Sequence, residues 1–252
     1  MIKQDLHTHT TFCDGSSTAE EMVISAIEKG LDCIGFSGHS LSPGNDDDTG
    51  YGMDEETAAE YRAEIGRLKE KYKDQIKILC GMEMDYYSEN DLSPYEYIIG
   101  SVHEVRKNGG RVCVDYCLEH TKAGTEKFFG GDYLALAEEY FETVGNIVEK
   151  THCDIIGHFD LLTKFNEQEY LFDTNSRRYK DAWKKAADKL LKYHIPFEIN
   201  TGAISRGYRT SPYPSDEIID YLRSHGAKLI LSSDSHDAKS IAFMFNKYEA
   251  LL

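Results

Sequence analysis

Short apolar runs alternate along this chain with longer stretches whose apolar residues recur at helical spacing. Seven runs read as strands: residues 2–7, 33–37, 76–82, 97–102, 154–157, 196–200 and 228–233. They are short and flanked by turn-forming residues, as buried strands are. Helical patterns cover residues 19–29, 54–73, 132–150, 176–193 and 215–226, and a last one reaches the C-terminus. Tyr61, Ile65, Leu68 and Tyr72 mark one buried helical stripe. Thr18-Ala19-Glu20-Glu21 is a capping box, and Gly30 suits the position just past a helix. Asp132, a residue near Asn175, and Ser215 are further helix starts. Strands that alternate with helices pair in parallel, because each parallel neighbour needs a crossover. Seven such units predict a closed or nearly closed α/β barrel, in one domain spanning residues 1–252. Residues 104–132 break the alternation, with turns at Asn108-Gly109-Gly110 and Gly130-Gly131 and a short strand expected from Arg111 to Leu118. The 40–53 loop is rich in Gly and Asp, and its Asp46-Asp47-Asp48 run reads as a solvated loop.

The strand ends carry the chemistry. His7 and His9 are two apart, so in an extended strand both imidazoles point the same way. With Asp14 a few residues on, they can hold one or two divalent ions. His39, Glu83, His103 and His158 each follow an apolar run, and Asp234-Ser235-His236 repeats the two-residue spacing. Glu83 at the end of a buried strand is costly unless it meets a cation, and its two oxygens suit it to bridging two ions. Asp85, two residues on, reads as a bystander. Histidines and carboxylates gathered at strand ends describe a multi-metal hydrolytic site, and in barrels the active site lies at those ends. His120, His152, His194 and His225 lie elsewhere and read as surface or structural groups.

A net charge of −16 disfavours nucleic-acid partners, since such a surface repels a phosphodiester backbone. No apolar stretch is long enough to span a membrane, and no signal peptide is expected, which points to the cytoplasm. Cys33, Cys80 and Cys153 fall in or beside apolar runs, so a reduced, disulfide-free chain is expected. Cys13 stands apart, and Cys113 and Cys117 have a spacing a zinc site can use but read as structural.

The set His7-x-His9, Asp14, His39, Glu83, His103, His158 and Asp234-x-His236 resembles the polymerase and histidinol phosphatase (PHP) superfamily of metallophosphoesterases, from residue 2 to about residue 240. The resemblance implies a distorted seven-stranded (β/α)7 barrel and three divalent metal ions, of zinc, iron or manganese. It implies that His7, His9, Glu83 and Asp234 hold one ion and that Glu83, His103 and His158 hold a second. Asp14, His39 and His236, with Asp234 nearby, would hold the third. Within the superfamily, Gly100-Ser101-Val102-His103, Gly157-His158-Phe159-Asp160-Leu161, Glu198-Ile199-Asn200-Thr201-Gly202 and Arg206 with Pro212-Tyr213-Pro214-Ser215 resemble the histidinol-phosphate phosphatases. Ser37-Gly38-His39 and Ala203-Ile204-Ser205 depart from that pattern.

The implied reaction is hydrolysis of a small phosphate monoester, L-histidinol phosphate first, in histidine biosynthesis. A metal-bridging hydroxide is expected to attack phosphorus in line. Arg206 is the first choice to steady the transition-state charge, with Arg209 and Lys164 as further phosphate-binding candidates. Asp234 or a metal-bound water would protonate the leaving alcohol. Tyr51, Tyr116, Phe128 and Phe129 are candidate walls for the organic part of the substrate. The alternatives are phosphotyrosine or a nucleotide as substrate, or a PHP module without catalysis, which should lack some of these ligand types. Oligomeric state is not encoded in these patterns.

Overall fold

The computed structural model describes residues 3–43 and 51–252. Ile2, Asp46-Asp47-Asp48 and the middle of the 40–53 loop therefore lie outside the described residues. In chain order the elements are β1 (Gln4–Asp5), α1 (Ala19–Glu28), β2 (Cys33–His39), α2 (Glu55–Tyr72), β3 (Lys77–Asp85), β4 (Tyr97–Ser101), β5 (Glu104–Lys107), β6 (Gly110–Cys113), α3 (Leu118–Phe129), α4 (Tyr133–Val144), α5 (Ile147–Thr151), β7 (Ile155–Ile156), α6 (Arg177–Leu190), β8 (Phe197–Asn200), α7 (Gly202–Ser205), α8 (Asp216–Ser224), β9 (Leu229–Ser232) and α9 (Phe245–Tyr248). Thr18 caps α1 through the reciprocal box with Glu21, and the Asp132 carboxylate caps α4. Helix α6 starts from Ser176, whose hydroxyl accepts from the Tyr179 N–H.

Seven strands pair in parallel in the order β1-β2-β3-β4-β7-β8-β9. The sheet then curls round on itself. Past the strand ends, His9 N–H donates to the Ser235 carbonyl at 2.8 Å and Ser235 N–H to the His7 carbonyl at 3.3 Å. The result is a nearly closed barrel, distorted because β1 and β9 meet only at this upper rim. Strand β1 is shorter than the predicted 2–7 run. Beyond Asp5 its backbone is satisfied by groups other than a regular ladder: Tyr97 Oη donates to the Leu6 carbonyl, and Thr8 N–H donates to Ser37 Oγ.

Tyr97, Ile99 and Ile155 fill the barrel with Leu6, Leu79 and Ile230. Gly81 makes room for the Tyr97 ring, since a Cβ there would lie 2.4 Å from Tyr97 Cζ. Outside the barrel, Met22, Val23, Tyr61, Ile65, Leu68 and Trp183 join one continuous core between helices and sheet. Full burial of such a side chain stabilises by about 1.5–3 kcal/mol, enough to hold helices whose outward faces are charged.

The 104–132 excursion differs from expectation. The strand expected over 111–118 ends at Cys113 as the second arm of the β5–β6 hairpin. Residues 118–129 form α3, whose buried face is Thr121, Gly124 and Thr125 rather than an apolar stripe. The helix expected over 132–150 divides into α4 and α5 at Gly145 and Asn146. The last predicted helix is broken into short turns. Ala242 and Met244 adopt left-handed backbone there, as Ile241, Phe245 and Tyr248 each turn inward to be buried.

Candidate metal centre

Register builds the centre. Strands β2 and β3 align His39 beside Glu83, and both side chains point into the upper barrel. His7 and His9 follow β1, His103 follows β4, His158 follows β7, and Asp234 and His236 follow β9. Asp14 lies in the turn after His9, which Ser16 N–H ties to the His236 carbonyl at 2.7 Å. Asp234 takes a left-handed backbone, φ 49°, which an aspartate tolerates better than most residues. Gly202 stands against it, because a Cβ there would lie 2.8 Å from Asp234 Cβ.

All nine ligand candidates converge. Glu83 sits at the centre and divides its oxygens between two sets of histidines. Its Oε2 lies 3.2 Å from His7 Nε2, 3.4 Å from His9 Nε2 and 2.9 Å from His39 Nδ1. Its Oε1 lies 2.9 Å from His158 Nε2 and 3.3 Å from His103 Nε2. Asp234 Oδ1 is 3.3 Å from His9 Nε2 and 3.7 Å from His7 Nε2. Asp14 is 3.5 Å from His39 Nε2 and 3.2 Å from His236 Nε2. The ligand atoms fall into overlapping groups: His9, Asp14, His39 and His236; His7, His9 and Asp234; His7, Glu83 and His158; His39, Glu83 and His103.

Two observations fit these groups to cations. His7 Nε2, His9 Nε2 and Glu83 Oε2 are buried and make no hydrogen bond, although each lies within 3.4 Å of another of the three. Buried polar atoms that face one another without bonding call for a missing partner. The spacing also matches: metal–ligand bonds of about 2.1 Å put neighbouring ligand atoms of a tetrahedron roughly 3.4 Å apart.

The electrostatics point the same way. Burial works against charge on His7, His39 and His103, but the surrounding carboxylates outweigh it and lift all three above the usual histidine value. Burial, with His236 and His39 beside it, pushes His9 down to about 3, leaving its ring neutral. Burial opposes ionisation of Glu83 and Asp234 as well, yet the histidines hold Glu83, and Arg206 with His7 holds Asp234, well below the usual carboxylate range. Without cations the cluster is a knot of protonated histidines and carboxylates, whose protons divalent ions would displace.

A second layer orients the ligands. The Glu198 carboxylate, fully buried, accepts from His7 Nδ1 at 2.7 Å, the His158 backbone N–H at 3.1 Å and Asn200 Nδ2 at 3.2 Å. This contact puts the proton of His7 on Nδ1 and leaves Nε2 free to ligate. Asp85 is more than a bystander: its Oδ2 accepts from the His103 N–H at 3.0 Å and faces His103 Nδ1 at 3.2 Å. Glu198 went unnoticed as a site residue in the sequence, although an acid in the apolar strand 196–200 carries the same signal as Glu83.

Above the ligands is a cavity of about 270 Å³, whose lining includes Tyr51, Asp115, Tyr116, Lys164, Arg206 and Tyr208. Arg206 donates to Asp234 Oδ2 at 3.0 Å and to the Asp234 carbonyl at 2.8 Å. Lys164 Nζ donates to the Asp115 carbonyl at 2.6 Å. Arg209 is a correction. Its guanidinium turns away to Thr163 Oγ1 at 2.6 Å and Asp160 at 3.5 Å, and it lines a different cavity. The buried Asp160 carboxylate engages Arg209, which does not line the cavity above the ligand candidates. Phe128 and Phe129 are also elsewhere: Phe128 packs on Gly110 of the hairpin and Phe129 beside Lys107. Cys117 caps α3 by accepting from the His120 N–H, and all six cysteines are free thiols. No helix among the described residues is long and apolar enough to cross a membrane.

A parallel barrel with histidines and carboxylates collected at its strand ends defines a metal-dependent hydrolase class. The PHP domain model matches residues 5–202, and the chain belongs to that family. Among its relatives, the histidinol-phosphatase of Bacillus subtilis (strain 168) is 28% identical, over 100% of this chain and 99% of that protein. The histidinol-phosphatase of Lactococcus lactis is 27% identical, over 100% of this chain and 91% of its own length. Two solved structures share the fold at 24% identity. One from Listeria monocytogenes has a TM-score of 0.84, covering 98% of this chain and 100% of that one. The histidinol phosphate phosphatase of Lactococcus lactis, solved with zinc, L-histidinol and phosphate, has a TM-score of 0.69, covering 99% and 92%.

Proposed function

We propose that this protein hydrolyses phosphate monoesters, with L-histidinol phosphate as its substrate and L-histidinol and orthophosphate as products. The observation that carries the reading is the convergence of nine ligand-type side chains on a buried Glu83, beneath a cavity walled by Arg206 and Lys164. The names of the full-length relatives support the choice of ester.

Three divalent ions suit the grouping. His7, His9, Glu83 and Asp234 would hold one, Glu83, His103 and His158 a second, and Asp14, His39 and His236 a third. Zinc is a candidate on chemical grounds, as are iron and manganese. When bound, such ions neutralise the phosphate dianion and bring the ionisation of a water toward neutral pH. The chain's own groups do the rest. Arg206 has its guanidinium anchored on Asp234 and aimed along the cavity wall, so it can donate to the equatorial phosphate oxygens as charge spreads over them. Lys164, which lines the same cavity, adds a point charge. Asp234, held ionised by Arg206 and His7, can accept a hydrogen bond that orients the attacking water, and Asp234 or a water of the centre would supply the proton to the leaving alkoxide. The barrel's packed interior below Glu83 keeps water from entering beneath the centre.

A panel of phosphomonoesters, read by released phosphate and paired with elemental analysis, tests the reading. L-Histidinol phosphate should show the highest kcat/KM, above phosphotyrosine and nucleoside monophosphates, and chelation should abolish turnover. Metal-replete protein that prefers another ester, or turns over none, would remove it.

A further inference from the structure

The cavity that Arg209 lines has a volume of about 360 Å³ and shares no lining residue with the one above the ligand candidates. Three polar atoms on its wall are buried and make no hydrogen bond among the described residues: Asp160 Oδ1, Arg209 Nε and Tyr179 Oη. All three residues are more than nine-tenths buried. Each is fixed by its other contacts. Asp160 Oδ2 accepts from the Ser215 N–H at 3.0 Å. Arg209 Nη1 donates to Thr163 Oγ1 at 2.6 Å and Nη2 to Ser211 Oγ at 3.2 Å. The Tyr179 ring packs against Phe141 and Phe172. The acid and the base do not close on each other. Arg209 Nη1 stops 3.5 Å from Asp160 Oδ1, and Nε stops 3.8 Å from Glu167 Oε1.

A carboxylate oxygen, a guanidinium N–H and a phenol, all held in place and all unmet, are an acceptor, a donor and a group that serves as either. Buried polar atoms in that condition call for a partner. The cavity is roughly ten times the size of one water, about 30 Å³, and lies within the range of small-molecule sites, about 300–1,000 Å³. A simple anion leaves Asp160 unmet and faces Glu167, Asp216 and Glu217, the last already paired with Lys180 at 2.8 Å. A simple cation leaves Arg209 Nε unmet and lies beside a guanidinium. A molecule that carries both charges on neighbouring atoms meets all three groups. We propose that this cavity binds a free α-amino acid. Its carboxylate accepts from Arg209 Nε and Tyr179 Oη, and its ammonium donates to Asp160 Oδ1 among the acidic residues of the wall. Trp183 and the Tyr179 ring offer an apolar surface for its side chain. The inference stands apart from the phosphatase reading, because no ligand candidate of the metal centre lines this cavity.

Calorimetric titration of the metal-replete full chain with the common L-α-amino acids, one at a time, tests this. At least one should bind saturably, one per chain, with a Kd below about 1 mM. For the tightest of them, two analogues divide the contacts: the primary amide lacks the carboxylate, and the deamino acid lacks the ammonium. Each should bind at least roughly 10-fold more weakly, since each forfeits a charge-assisted contact. Tyr179→Phe should weaken the amino acid by roughly 10- to 100-fold. Its unliganded melting temperature should stay at or above the native one, because the hydroxyl has no hydrogen bond to lose. Asp160→Asn should weaken the amino acid and leave the deamino acid no weaker than before. Amino acids can also ligate metal ions, so binding that survives intact in Tyr179→Phe belongs to the metal centre and overturns the assignment. Binding by none of the amino acids, or an amide that binds as tightly as its parent, overturns it too.

Discussion

Glu198→Gln changes one atom, keeps the shape of the side chain and should cripple the metal centre. Each of the three contacts to Glu198 comes from a donor: His7 Nδ1 on one oxygen, the His158 N–H and Asn200 Nδ2 on the other. A glutamine has one acceptor and one donor end. If its carbonyl faces His7, its amide hydrogens meet two donors in a buried site. If it faces the pair, its amide meets His7. A buried donor left unmatched costs about 1–3 kcal/mol, so the second arrangement, with one conflict instead of two, wins. His7 then relieves the conflict by moving its proton to Nε2. That atom is the one aimed at Glu83 Oε2 and Asp234 Oδ1, and once protonated it cannot ligate. Losing an outer partner of a ligating histidine costs about 10- to 100-fold in metal affinity, or roughly 1.4–2.7 kcal/mol. Zinc titration of metal-free protein against a competing chelator measures this, with a thermal melt in chelator reporting the fold. A folded Glu198→Gln protein that binds zinc with native affinity and stoichiometry would refute the tautomer argument.

Other consequences can be checked in the same way. Because His7, His39 and His103 titrate above the usual histidine value, they are protonated below it and compete with cations; metal affinity should climb as pH rises through and past about 6.5, with protons released on binding into weakly buffered solution, whereas pH-independent binding would contradict it. Arg206→Lys keeps the charge but loses the planar fork on Asp234, and turnover of phosphomonoesters should drop roughly 10- to 100-fold; unchanged kinetics would take Arg206 out of the site. Gly81→Ala forces a methyl group into the Tyr97 ring inside the barrel, a cost of about 1–3 kcal/mol and a fall in melting temperature of roughly 2–12 °C; an unshifted melt would mean the ring can move freely.

The candidate ligands were legible because all but Asp14, which lies in the turn after His9, stand at or just past the carboxyl end of an apolar strand. In a parallel barrel, position at a strand end and direction into the barrel are both set by local alternation, so residue type and spacing suffice. What remained hidden depends on packing between distant segments. Helix α3 shows no apolar stripe because Thr121, Gly124 and Thr125 fit close against the hairpin, where small size matters more than hydrophobicity; a Cβ on Gly124 would lie 2.9 Å from Val112. Arg206 and Arg209 are three residues apart and chemically alike. One turns to Asp234 in the cavity and the other to Asp160 outside it, and nothing in the local sequence distinguishes them.

Thus the sequence by itself determined a repeating strand–helix chain, the set of nine candidate ligands and the class of chemistry they suit, because period, residue type and order are local properties. Tertiary structure alone decided that the barrel closes through Thr8 and Ser235, that Glu83 splits its oxygens between two histidine sets, and that Glu198 accepts from His7 Nδ1. Each of these is a matter of where a side chain points once residues tens to hundreds of positions away have packed around it.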